Sequence, residues 1–278
     1  MTSHGAVQAL AVLLPSLYLV SSLLHGMAFG GDKAPKVAAL RVWALRLTVL
    51  AHAGLFVAQA EALASFPIVD AFSTLSALAF CVALFHVVIA RWVGHIGAGG
   101  IVLSVVFVLQ LIASAFGNWS LEAAAEAANP VTIVHVSTVV LAASAVVLSG
   151  LHGALYLVLF RQMRRKNFGP LFDHLPDLSL LARMTRFSAM FGFVALTVGL
   201  NVGIGMAHAY SVEGFSYSDP SVILTIMLWL HFGVIAFSRF IAGLSAWRAS
   251  WAAAAGLLAL LLILTLTLVP GVTFHSLR

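Results

Sequence analysis

Apolar residues run along this chain in long blocks, without the alternation of strands or the single stripe of a soluble amphipathic helix. Eight blocks reach about 20 residues, the length needed to cross ~30 Å of hydrocarbon. They lie near 7–29, 40–60, 68–90, 96–116, 131–160, 184–207, 222–241 and 251–269. The separators are short and carry turn or polar chemistry, as in Gly30-Gly31-Asp32-Lys33 and Tyr217-Ser218-Asp219-Pro220. The pattern predicts an all-α fold, a polytopic integral membrane bundle of eight transmembrane helices. Residues 1–278 read as a single transmembrane domain, four helices in 1–130 and four in 131–278.

Composition agrees, because 62% hydrophobic against 8% charged residues excludes an ordinary soluble globule. The formal charge of +5 is a topology signal. Thirteen of the 14 Lys and Arg fall at one set of helix ends and only Arg278 at the other. The positive-inside rule makes the first set cytoplasmic and both termini non-cytoplasmic. With the charge so explained, no nucleic-acid partner is needed, and membrane lipid is the expected surface contact. No Lys or Arg precedes the first apolar run and no Ala-x-Ala site closes it, so it is expected to stay as a helix. The single cysteine, Cys81, excludes an intrachain disulfide, a Cys-x-x-Cys redox centre and covalent haem attachment to this chain.

Histidine is the unusual residue, 11 against nine Asp and Glu. Counting rise along each span, His135, His208 and His275 fall at outer helix ends, and His52 and His231 at mid-depth. His25, His86 and His152 lie towards the cytoplasmic side. One histidine in a helix bundle is ordinarily a neutral ring bonded to a carbonyl or hydroxyl. Eight on spans or their ends, with few acids to pair with them, call for more than that. Axial ligation of haem iron by neutral imidazoles fits. Zinc fits less well, since no two histidines stand three to five residues apart. The few acids within the spans argue against a carboxylate proton relay. No Walker loop, Gly-x-Gly-x-x-Gly, His-Glu-x-x-His or Gly-x-Ser-x-Gly occurs, so nucleotide-driven and hydrolytic chemistry lack a motif, and an enzyme is the weaker expectation.

The second half carries an ordered set of features: Val134-His135-Val136 opening a long helix, the basic run Arg164-Arg165-Lys166, Leu175-Pro176-Asp177-Leu178, Leu196-Thr197-Val198-Gly199, Asp219-Pro220, Leu228-Trp229-Leu230 and Phe274-His275-Ser276. In this order they resemble the cytochrome c assembly family of haem-handling membrane proteins (the CcsA, CcmC and HemX-like group), and the chain is most similar to the short HemX-like members. The resemblance spans 131–278. It implies that His135 and His275 are ligands of one haem iron, with Phe215, Tyr217 and Asp219 in the loop above it. The family's loop usually carries several tryptophans before Asp-Pro, and its following helix often ends in Leu-His-x-Arg; this chain has Phe215 and Tyr217 in the loop and Ala236-Phe237-Ser238-Arg239 in the helix. His52, His86, His152 and His231 are the candidates for a second, deeper site, with His52 and His231 best matched in depth, and His208 is the next outer candidate.

The leading expectation is a haem-binding protein of cytochrome c biogenesis in the bacterial inner (plasma) membrane, holding or moving non-covalent haem b at the outer face. Its partners would be haem, an apocytochrome c or another membrane assembly subunit. A HemX-like regulator of tetrapyrrole synthesis, a diheme electron-transfer cytochrome and a small-solute transporter are the alternatives. Pairing of His135 with His275 requires that the first and last of the four C-terminal spans be neighbours.

Overall fold

The computed structural model describes residues 3–27, 35–68, 70–93, 97–117, 129–166, 168–209 and 215–267. Among these residues there is no strand. In chain order the α-helices are α1 (Ser3–Gly26), α2 (Pro35–Leu63), α3 (Ala71–Val93), α4 (Gly99–Phe116), α5 (Pro130–Arg165), α6 (Pro170–His174), α7 (Leu178–Ala209), α8 (Pro220–Ala236) and α9 (Ala246–Thr267). Seven of them are long and apolar enough to span a bilayer; α8, at 17 residues, is apolar but shorter. Helices are the form such a sequence must take in lipid, because each pairs its own backbone groups within one segment. The chain divides into two compact units, one holding α1–α4 with α6, the other holding α5 and α7–α9.

Polar chemistry starts several helices. Asn129 Oδ1 accepts the Val131 amide at 2.9 Å ahead of Pro130, and Asp219 Oδ1 accepts the Ser221 amide at 2.8 Å ahead of Pro220. In both, the side chain takes an amide with no intrahelical partner and the proline sits where its missing N–H costs nothing. Asp177 begins α7 in the same manner. The Ser179 hydroxyl and the Leu180 amide donate to it and hold its carboxyl below the usual carboxylate range.

In the first unit α1 lies between α2 and α4, and α3 packs on α4. Apolar side chains such as Val12, Leu23, Leu47 and Val88 face outward, whereas the hydroxyls of Ser21, Ser22 and Thr48 are buried. Ser21 pairs with Thr48 at 3.1 Å, and Ser22 reaches both Ser104 (2.8 Å) and the Gly100 carbonyl (3.1 Å). Such interhelical bonds add roughly 1 kcal/mol each in a membrane setting, where apolar surface alone gives helices no reason to associate. Pro15 cannot donate to the carbonyl four residues back, and Ser114 of α4 donates to that carbonyl, Ala11 O, at 2.7 Å.

The second unit is a closed four-helix arrangement in which α5 packs on α7, α7 on α8, α8 on α9 and α9 on α5. Small residues set the α5–α9 spacing. A Cβ at Gly150 would lie 2.6 Å from Leu257 Cβ, and one at Gly153 would lie 2.8 Å from the Ser250 carbonyl. These contacts run antiparallel, so α9 ends at the same end of the unit where α5 begins. The adjacency required of the first and last of these four spans is therefore present. Phe232 of α8 is fully buried, its ring against Gly256 of α9.

The expected helix over 222–241 is shorter than hydropathy implied. It stops at Ala236, the Phe237 amide turns back to the Gly233 carbonyl at 3.0 Å, and Ser238–Phe240 forms a 3₁₀ turn. Arg239 in that run folds its guanidinium over the Phe240 ring at 4.4 Å, and Gly243, at φ +78°, reverses the chain before α9. By contrast α5 and α7 extend past their apolar runs, through Arg165 and from Leu178, because helix formation continues where the hydrocarbon ends.

Candidate functional site

The expected outer ligands meet different outcomes. His275, with Phe274, lies outside the described residues, as do the tail beyond Thr267 and residues 210–214 of the loop before α8. His135 stands near the start of α5 and crosses to α7, where its Nδ1 lies 3.0 Å from the Gly199 carbonyl. A carbonyl only accepts, so Nδ1 carries the proton and Nε2 of the neutral ring holds the lone pair. Ligand histidines are held in this way, with the nitrogen that does not bind the metal fixed by a hydrogen bond. The room for the ring comes from Gly203, where a Cβ would fall 2.6 Å from His135 Cε1 and 3.0 Å from Nδ1.

A second group gathers at the end of α7. His208 sends Nδ1 to the Ile204 carbonyl at 3.0 Å, and its ring lies 6.0 Å from both Phe215 and Tyr217, whose rings are 5.2 Å apart. The Tyr217 hydroxyl approaches His208 Nε2 at 3.4 Å. Three of the expected residues, His208, Phe215 and Tyr217, thus form one aromatic cluster at the end of the unit that His135 also occupies. Asp219 follows as the N-cap of α8, with the Ser221 hydroxyl donating to it at 2.5 Å besides the amide. Deeper in the same unit Trp229 donates to Thr197 Oγ1 at 2.8 Å and stacks on Phe193 at 5.4 Å.

The two mid-depth histidines belong to different units. His231 Nε2 donates to the Ala252 carbonyl of α9 at 2.7 Å. His52 is fully buried in the first unit, with Tyr18 Oη 2.8 Å from Nδ1 and Ser76 Oγ 2.9 Å from Nε2. Ser76 donates onward to Gln110 Oε1 at 3.0 Å, and Gln110 Nε2 to Ser114 at 3.3 Å. Side chains of α1, α2, α3 and α4, two of them from α4, thereby join a single polar circuit around His52.

Two features were not legible beforehand. His25 and His86, on α1 and α3, bring their rings to 6.5 Å, T-shaped, beside Gly99, where a Cβ would meet His25 Cδ2 at 2.7 Å. Their depths along the sequence match, but depth does not tell which helices are neighbours. His152 of α5 is fully buried, and neither ring nitrogen has a hydrogen-bond partner among the described residues. Among those residues no group of three or more His, Cys, Asp or Glu is arranged to hold a metal ion.

No curated protein sequence matches the chain. A family model described as Cytochrome C assembly protein matches residues 36–275, a stretch that takes in all but the first residue of α2 and the whole of α3–α9, and therefore parts of both units. With seven helices fit to cross a membrane and most of its length within that match, the chain is an integral membrane protein of cytochrome c biogenesis and belongs to the cytochrome c assembly family.

Proposed function

We propose that the second unit binds non-covalent haem b at its outer end, where His135 and His275 would hold the iron and His208, Phe215 and Tyr217 would lie beside them. The observation that carries this reading is the contact of His135 Nδ1 with the Gly199 carbonyl, which makes Nε2 the acceptor nitrogen of the ring, in a space left by Gly203. Packing of α9 on α5 supports it, since α9 ends at Thr267 beside the start of α5, eight positions before His275 in the sequence. When bound, haem supplies a redox-active iron and a porphyrin for delivery to an apocytochrome c. The chain's own part is to orient one imidazole, offer aromatic faces and keep the ligand site at the membrane surface.

Topology extends the proposal. The α8 helix rises roughly 26 Å, and with the following 3₁₀ turn it completes an eighth crossing. Both termini then lie outside and the basic helix ends inside a bacterial inner membrane. A HemX-like regulatory role in tetrapyrrole synthesis is the second reading. It is favoured by Phe215 and Tyr217 folding onto His208 in place of a tryptophan-rich platform.

The test is the oxidised and reduced absorption spectrum of protein purified after haem-replete expression. A Soret band is expected, with loss of most of it in His135→Ala and in His275→Ala and recovery on adding imidazole. Full haem content and an unaltered spectrum in both variants would defeat the ligand assignment. A colourless wild-type preparation would favour the regulatory reading.

A further inference from the structure

The opposite end of the second unit holds a small cavity lined by Ala182, Thr185 and Arg186 of α7, Ser238 of the 3₁₀ turn, and Ala246 and Ser250 at the start of α9. Ser250 is 1% exposed, and its hydroxyl has no hydrogen-bond partner among the described residues. An isolated buried hydroxyl is costly and calls for a partner, which a water or an ion can supply. Three further observations indicate the sign of that partner. Arg186 contributes a cation to the lining. The first turn of α9, with Ala246 in the wall, presents the positive end of a 22-residue helix. Among the described residues no acidic side chain lines the cavity.

The loop is held in place for this. Arg248 Nη1 donates to the Gly243 carbonyl at 3.0 Å, and the Arg248 amide lies 3.4 Å from Ser245 Oγ, so the turn is tied to the helix that follows it. The surroundings are those of a membrane boundary. Trp247, Trp251 and Phe240 are exposed, and Arg239 covers the Phe240 ring. Exposed tryptophan beside arginine is the usage of the headgroup layer.

We propose that this cavity binds the phosphate group of an anionic phospholipid, with Arg186 as the paired cation and the Ser250 hydroxyl and the α9 N-terminus as further donors. Arginine suits the task because its planar fork can meet two phosphate oxygens at once. The site stands at the other end of the unit from His135, and it does not depend on the haem reading.

Purified full-length protein in detergent, titrated with short-chain phosphatidylglycerol, tests it. The comparators are a glycolipid of the same chains without phosphate, and inorganic phosphate. Retained lipid is read by native mass spectrometry and stability by thermal melting. Phosphatidylglycerol should be retained and raise the melting temperature, and the glycolipid should do neither. Arg186→Gln should weaken retention about tenfold or more, the range for a lost hydrogen bond to a charged group. Ser250→Ala should weaken it severalfold without lowering the melting temperature of lipid-free protein, since its hydroxyl makes no bond to the chain. That variant carries the test if Arg186→Gln does not fold. Arg183→Gln, an exposed cation outside the cavity, should change nothing. Displacement of the lipid by low inorganic phosphate would overturn the lipid source in favour of a free anion. Equal retention of both lipids, or unchanged retention in Arg186→Gln and Ser250→Ala, would overturn the site.

Discussion

His52 in the first unit bonds through both ring nitrogens to side chains of neighbouring helices, whereas His135 and His231 in the second unit each place one nitrogen on a backbone carbonyl of the helix beside them. The residue type is the same, yet the chemistry diverges. Side-chain partners on both nitrogens make His52 part of the scaffold. A carbonyl partner sets tautomer and ring orientation, the two properties a metal ligand requires. On the proposed reading, the kind of atom that holds a histidine, more than its depth, is what would separate a ligating ring from a structural one.

The sharpest way to break this contrast is His52→Ala. Loss of two buried hydrogen bonds and the cavity left behind should cost roughly 2–3 kcal/mol of unfolding free energy. Equilibrium unfolding in mixed micelles measures it, and the haem spectrum of the protein that remains folded should be unchanged. A lost Soret band at full stability would place a ligand in the wrong unit. A smaller effect is expected at Gly203→Ala, where the added Cβ must displace the His135 ring. Overpacking of this kind costs about 1–3 kcal/mol, and it should shift the reduction potential or lower haem content. Gly205→Ala is the control, because a Cβ there meets nothing within 4 Å. If the two variants bind haem alike, the His135 ring is not at the site. The smallest effect belongs to Asp219. Removing the cap in Asp219→Ala should cost about 1 kcal/mol, and Asp219→Asn, which still caps, much less. A spectral change in Asp219→Asn at unchanged stability would give the carboxylate a part in the site beyond starting α8.

Most of the helices could be read from the sequence because hydropathy reports what a span must do, which is to fill the thickness of a bilayer with apolar side chains. It misplaced their ends. Arg161 to Arg165 continue α5, since leaving the hydrocarbon does not end a helix, while Arg239 stands where α8 has already given way to a 3₁₀ turn. The outer candidates were legible in part. His208, Phe215 and Tyr217 come close together because a short connection returns the chain directly to the end of α7. The bonding of His52 was not legible, because Ser76 and Gln110 are unremarkable in apolar runs until three helices meet. Nor was the pairing of His25 with His86, which depends on the contact of α4 with both α1 and α3.

Pro15 has a reach beyond its own helix. The carbonyl it leaves at Ala11 can only accept, so Ser114 must give it a hydrogen and Gln110 must turn its NH2 towards Ser114. The Gln110 oxygen then faces Ser76, whose hydrogen goes to it, and Ser76 in turn takes one from His52 Nε2. Nδ1 is left bare for the Tyr18 hydroxyl, back on the first helix. Every proton in the loop thus points in one rotational sense, and none can reverse alone. A missing hydrogen on α1 dictates where the hydrogen sits on the imidazole of α2, so the polarity of the whole circuit is inherited from a single imino acid.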